Sequence, residues 1–176
     1  MKRYTIFNFY IRGGNQLPQG CHVLNNLWKQ IDSCPDQVAV ANFKDWAFNH
    51  ETEVVLQGGD DEKLENLYTA LSNIKGILSS KFNEPGIRNA CAAVSFIATS
   101  RIVAGVNFAR ENRLNPATIK EALECCVFHP SIQDPKKIEL IDRHYLPDSD
   151  YKQDKYSELT SDEILVISNI AFLPLA

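Results

Sequence analysis

Residues 4–11 alternate in a way that predicts a strand over Tyr4–Ile11. Tyr4, Ile6, Asn8 and Tyr10 fall on one face, and Thr5, Phe7, Phe9 and Ile11 on the other. Both faces are largely apolar, as in a strand covered on both sides. Gly13-Gly14-Asn15 then interrupts the pattern. Leu17, Cys21, Leu24, Trp28 and Ile31 follow at helical spacing and predict a first helix with that core stripe. Asn15 or Gln16 stands where an N-cap belongs, and Pro18 is tolerated only in the first turn. Gln19, His22 and Asn26 share a polar face of this helix. Ser33–Pro35 ends it, and Gln37–Ala47 reads as a short second helix carrying Phe43 and Trp46.

Glu53–Gln57 predicts a second strand, closed by Gly58-Gly59. Asp60 caps a helix with the stripe Leu64, Leu67, Tyr68, Leu71 and Ile74, which Gly76 stops. Ile77–Phe82 is a third strand, Asn83–Gly86 a turn, and Ala90–Ala98 a fourth, fully buried strand. Strands separated by helices pair in parallel, and the short last connection makes the final strand antiparallel to its predecessor. The expected class is α/β: a small mixed four-stranded sheet flanked by helices, in the order β-α-β-α-β-β, followed by a helical C-terminal extension. In that extension, Asn115 caps Pro116–Val127 and Asp134 caps Pro135–Tyr145. Asp148–Glu158 is an exposed loop, and Thr160 or Ser161 caps a last helix from Asp162 to about Phe172. The expected division is an α/β domain over 1–110 and a helical extension over 111–176 packed on it.

Composition narrows the function classes. The chain has 176 residues, 44% hydrophobic and 23% charged, as in an ordinary globular protein. A net charge of −4 gives no overall basic field, so nucleic-acid binding would rest on a local patch. The apolar run Ile164–Ala176 is too short to span a bilayer, and Met1-Lys2-Arg3 is not followed by a secretory core. A cytoplasmic protein with no membrane segment is expected. Five cysteines, an odd count with no C-x-x-C, predict reduced thiols rather than a disulfide framework or a zinc site. His129, Asp142 and His144 lack metal-ligand spacing, and no cofactor or metal is expected.

Two clusters could carry chemistry. One is Gln19 with His22 on the first helix. The other is the Asn83–Asn89 loop, with Glu84 and Asn89. If strands one and four are neighbours, both clusters lie at one end of the sheet, where open α/β sheets bind ligands. Each also has a plain structural reading. His22 reads as a solvated helix-face histidine, Glu84-Pro85-Gly86 as turn chemistry, and Cys125-Cys126 as core. Gly13-Gly14 lies between a strand and a helix but lacks the G-x-G-x-x-G fingerprint.

Three segments carry a resemblance. They are Tyr4–His22 (YTIFNFYIRGGNQLPQGCH), Trp46–Gly76, and Ser79–Ala98 (SSKFNEPGIRNACAAVSFIA). Their order and spacing resemble the type II peptidyl-tRNA hydrolases, archaeal and eukaryotic, and more specifically their shorter, divergent hydrolase-like branch. The likeness covers residues 3–110. It implies hydrolysis of the ester of peptidyl- or blocked aminoacyl-tRNA, with tRNA as partner and a homodimeric assembly. Carried over position by position, it makes Gln19, His22, Glu84 and Asn89 catalytic. Asn15, at a family site position, is a substrate-binding candidate; so are Arg12, Lys81 and Arg88, which lie in or beside the site loops and could form a local basic patch, their plain reading being ordinary solvated surface.

The departures are specific. Asn15 stands where active enzymes have a lysine, Gly86 where relatives have an aspartate, and Ala92 where they have a threonine. Asparagine donates only neutral hydrogen bonds and cannot anchor phosphate as lysine does. His22 as base with Glu84 as its orienting carboxylate would be a substitute arrangement. The alternative implied by the same departures is a non-catalytic binding or regulatory module on this fold. A further possibility lies in the tail, where Ile164, Leu165, Ile167 and Phe172 could dock a partner.

Overall fold

The computed structural model describes residues 1–130, 137–151 and 155–176. The chain divides into two units, residues 1–99 with 173–176, and residues 100–172. The division falls before Ser100 rather than after residue 110.

The first unit is a mixed four-stranded sheet in the order β2-β1-β4-β3. Its strands are β1 (Lys2–Phe7), β2 (Glu53–Gln57), β3 (Ser79–Glu84) and β4 (Ala90–Ala98). β1 runs parallel to β2 and antiparallel to β4, and β3 returns antiparallel beside β4. Strands one and four are therefore neighbours. The helices are α1 (Gln16–Gln30), α2 (Gln37–Asp45) and α3 (Asp61–Asn73). Arg3, Thr5 and Phe7 pair with Ile97, Ser95 and Ala93 and face α1 and α2. Val94 and Lys81 share the opposite face, where Lys81 meets Glu65 of α3.

Asp36 caps α2. One carboxylate oxygen accepts from Val38 N and Ala39 N at 3.0 and 3.1 Å, and the other accepts from Gly76 N at 2.7 Å. Asn42 Nδ2 donates to Gly76 O at 2.8 Å, so the turn after α3 is tied to α2 through one glycine. The Gly76 N–H, more than any other group, holds the Asp36 carboxyl below its ordinary value. Asp36→Ala is expected to lower stability by about 1–2 kcal/mol in urea unfolding at neutral pH. A depressed folded-state pKa stabilises above the unfolded value and is lost as pH falls through the folded one. The gap between wild type and Asp36→Ala is therefore full above about pH 4 and closes on further acidification.

Two sequence expectations in this unit are corrected. β1 stops at Phe7, not Ile11. Asn8 ends it: its side-chain oxygen accepts from Tyr10 N at 3.1 Å, and its Nδ2 donates to Cys91 O at 3.0 Å. α1 is also rotated from the expected stripe. Its buried positions are Gln19, Val23 and Leu27, whereas Leu17 is 75% exposed and Trp28 43%. Polar bonds hold this face to β3. Ser80 Oγ donates to Val23 O at 2.7 Å, and Asn26 Nδ2 to Lys81 O at 3.1 Å.

The outer edge of β2 is partly covered by the last residues of the chain. Gln57 N donates to Pro174 O at 2.9 Å and Ala176 N to Val55 O at 3.1 Å. That pairing blunts an otherwise open edge.

The second unit carries helices, as expected of the extension, and also a sheet that the sequence reading did not predict. It contains α4 (Ser100–Glu111), α5 (Ile119–Glu124), α6 (Asp148–Tyr151) and α7 (Ser161–Ile170). It also contains β5 (Cys126–Pro130), β6 (Ile138–Asp142) and β7 (Ser157–Glu158), an antiparallel sheet in the order β6-β5-β7. Helices were expected over Pro116–Val127 and Pro135–Tyr145. α5 ends at Glu124 instead, because Cys126, Val127 and Phe128 are buried in strand pairing with Leu140–Asp142. Long-range pairing overrides local propensity there. The expected cap Asp134 and the first residues of its helix, 135 and 136, lie outside the described residues. Gly105, which weakens the helix in sequence terms, has a packing role, since a Cβ there would overlap Ile167 of α7. Among the described residues no helix is long and apolar enough to cross a membrane.

Candidate functional site

The site begins with the alternation of β3. Phe82 and Glu84 face α1, and Lys81 faces α3. The register of β3 on β4 slips between Phe82 and Asn83, and this re-aims the end of the strand. Glu84 then caps the single 3₁₀ turn Pro85–Ile87. Its Oε1 accepts from Gly86 N at 3.2 Å. Its Oε2 accepts from Gln19 Nε2 at 2.6 Å, a bond spanning 65 residues of sequence. The carboxylate thus fixes which way the Gln19 amide points. The Gln19 oxygen is left buried with no donor, although the residue is 9% exposed.

Arg88 and Asn89 both adopt left-handed backbone, at φ 58° and 61°. Asparagine tolerates this region better than most residues, whereas for arginine it costs about 1 kcal/mol or more. The loop is held shut by Asn89 N donating to Glu84 O at 3.1 Å and Asn83 Nδ2 donating to Asn89 O at 3.0 Å. Asn89 therefore contributes through its main chain.

His22 is exposed, with its ring stacked on Phe82 at 4.4 Å between centroids and 15° between planes. It makes no hydrogen bond to Glu84, whose carboxylate is engaged by Gln19 and Gly86. The expected base–carboxylate pair is not formed. His22, Gln19 and Glu84 nonetheless line one flank of α1 beside β3.

The substrate-binding candidates separate. Asn15 closes the 3₁₀ turn Gly13–Asn15, is exposed, and makes no side-chain cap bond. Arg12 is exposed, with its Nε held by Phe9 O at 3.0 Å. Arg88 is exposed on the loop. Lys81 is on the other face of the sheet. Its Nζ meets both Glu65 oxygens at 2.7 and 2.5 Å and lies 5.3 Å from the Tyr68 ring centroid. The Glu65 bond raises the Lys81 pKa. Lys81 does not join the cluster.

The reading of the sequence missed Phe9 and Tyr10. These rings lie 3.8 Å apart by centroid on the turn after β1, and Tyr10 is 71% exposed. With Asn8, Asp60, Asp61 and Arg88 they border a cavity of about 840 Å³. Asn8, a turn-former five residues before a Gly-Gly pair, was the available signal. Burial pushes the thiols of Cys91 and Cys126 up to about 12, so both stay protonated at neutral pH. Cys21 is exposed, and Cys34 and Cys125 are half-buried. Among the described residues no group of three His, Cys, Asp or Glu side chains could hold a metal ion. Neither any protein-family model nor any curated protein sequence matches this chain.

Proposed function

We propose that the first unit is a type II peptidyl-tRNA hydrolase-like domain that cleaves or binds the ester of peptidyl- or blocked aminoacyl-tRNA. The observation that carries this reading is the 2.6 Å bond between Gln19 and Glu84. It joins two of the segments on which the resemblance rests, at the end of a sheet with a cavity beside it.

In this reading His22 is the base that takes a proton from the attacking water. Phe82 fixes its ring plane, and neither ring nitrogen is bonded within the described residues. Gln19 and Glu84, bonded to one another, hold the end of β3 against α1 beside His22 and act as its positioning pair. Arg12 and Arg88 meet phosphate. Asp60 and Asp61 border the same cavity as Arg88, so grip on the tRNA backbone is modest and strongly salt-dependent. A cytoplasmic, homodimeric protein goes with this reading, and sedimentation tests the dimer.

A second reading, a binding module without turnover, is favoured by one observation: His22 has no carboxylate to set its tautomer. Release of blocked amino acid from N-acetyl-aminoacyl-tRNA separates the two. The hydrolase reading expects release above the uncatalysed rate and at least about a tenfold fall in His22→Ala. Lys81→Ala is expected to stay within about twofold of wild type, because its ammonium serves Glu65 on the far face. A release rate equal to the uncatalysed one rejects hydrolysis, and filter binding of the same tRNA then decides whether the binding module stands.

A further inference from the structure

We propose that the outer edge of β2 is a strand-acceptor site for an extended segment of a separate protein. The segment carries a leucine-like side chain followed by a residue that keeps its main-chain N–H. Residues 173–176 occupy the same edge in cis and show how such a segment is read. The assignment does not depend on the ester reading.

Parity decides which groups of β2 face outward. Arg3 N donates to Thr52 O at 2.9 Å and Gly58 N to Phe7 O at 3.1 Å, so even positions turn their main chain to β1. Glu53, Val55 and Gln57 turn theirs to the edge, a row that templates another strand. Residues 173–176 run antiparallel along it, with Leu175 opposite Leu56. Gln57 N donates to Pro174 O at 2.9 Å, and Ala176 N donates to Val55 O at 3.1 Å.

Gly58 sets the side-chain preference. A Cβ there would lie 2.6 Å from Leu173 Cδ2, so the bare main chain of Gly58 is the seat of a branched apolar side chain.

The cis occupant is an imperfect one. Pro174 presents its carbonyl to Gln57 but has no N–H to return to Gln57 O, so the ladder is one bond short there. Leu173 and Pro174 are only half-buried, and Leu175 is 76% exposed. A segment with an N–H at the Pro174 position restores the missing bond and keeps the seat over Gly58. The tethered residues compete at high effective concentration, so a separate segment binds wild type more weakly than a chain whose tail is released.

The test titrates uniformly ¹⁵N-labelled full chain, wild type and Leu173→Asp, with acetyl-Phe-Leu-Val-Leu-Ala-amide, following the Gln57 amide. Leu173→Asp removes the side chain seated over Gly58 and leaves β2 itself unchanged. The expected result is a saturable shift in both chains, with wild type binding at least about tenfold more weakly. The same peptide with proline in place of valine lacks the N–H. It is expected to bind Leu173→Asp at least about twofold more weakly, the scale of one hydrogen bond. The peptide with aspartate in place of its first leucine is expected to lose at least about tenfold. No saturable shift at Gln57 in either chain overturns the proposal, as does equal binding of the aspartate peptide. Equal binding of the valine and proline peptides overturns the N–H requirement. Sedimentation is run at the titration concentrations. A wild-type dimer that the peptide dissociates assigns the edge to a second copy and overturns the separate partner.

Discussion

Glu163→Ala is expected to lower the stability of the second unit by about 3 kcal/mol, the low end of the effect of removing one partner from a buried ion pair. Glu163 is 4% exposed and does two tasks at once. It closes a capping box on α7, with Glu163 N accepted by Thr160 Oγ1 at 3.2 Å and Glu163 Oε2 accepting from Thr160 N at 2.8 Å. It also receives Arg101 in a two-point grip, Nε to Oε1 at 2.7 Å and Nη2 to Oε2 at 3.1 Å. Arg101 keeps Ser157 Oγ, Glu158 O and the Phe128 ring when Glu163 is lost, so the penalty stays at the low end. Glu163→Gln retains part of the cap and the grip and is expected to lose about half as much. Urea unfolding, with amide hydrogen exchange over 161–170, measures both. A loss below about 1 kcal/mol in Glu163→Ala would show that this network adds little beyond an exposed surface pair.

The second large effect is on turnover. In the hydrolase reading, Glu84→Ala is expected to lower release from N-acetyl-aminoacyl-tRNA by about 10²–10³, the scale of one lost group in a preorganised site. The alanine variant frees the Gln19 amide and the Gly86 N–H together. Gln19→Ala in the Glu84→Ala background should therefore add little, because the two side chains act as one unit. Glu84→Gln keeps an acceptor but removes the charge, and is expected to fall between wild type and Glu84→Ala. Independent, multiplying effects of the Gln19 and Glu84 changes would contradict the coupling. Unfolding curves of the same variants separate loss of the turn from loss of chemistry.

Much of the first unit was legible along the chain because its signals are local. Ala90–Ala98 is a strand with the limits its apolar run predicts. Asp60 caps α3 by accepting from Lys63 N at 2.9 Å, and Leu64, Leu67 and Leu71 are its buried stripe. Glu53–Gln57 is the second strand, whereas the neighbouring of strands one and four, only a condition along the chain, is set by the sheet order. Periodicity, caps and turn residues state such features residue by residue.

What failed depended on partners far away in sequence. Periodicity ranked the faces of α1 by hydrophobicity and chose Leu17, Cys21, Leu24, Trp28 and Ile31. The fold buries Gln19, Val23 and Leu27 most fully, while Leu24 and Ile31 pack against the core at its margin; Glu84 accepts from the Gln19 amide and Ser80 of β3 donates to Val23 O. A buried polar side chain is acceptable only where such partners exist, and no window of sequence contains them. The same holds for 126–127 and 138–142, where a helical pattern yielded to antiparallel pairing. Lys81 and Glu84 lie three residues apart, and only the sheet decides that one meets α3 and the other α1. The sequence alone determined the elements of the first unit, their order and the residue types gathered near its candidate site. Tertiary structure decided which faces are buried, which of those residues touch, and that residues 173–176 partly cover the edge of β2, since each depends on contacts between distant segments.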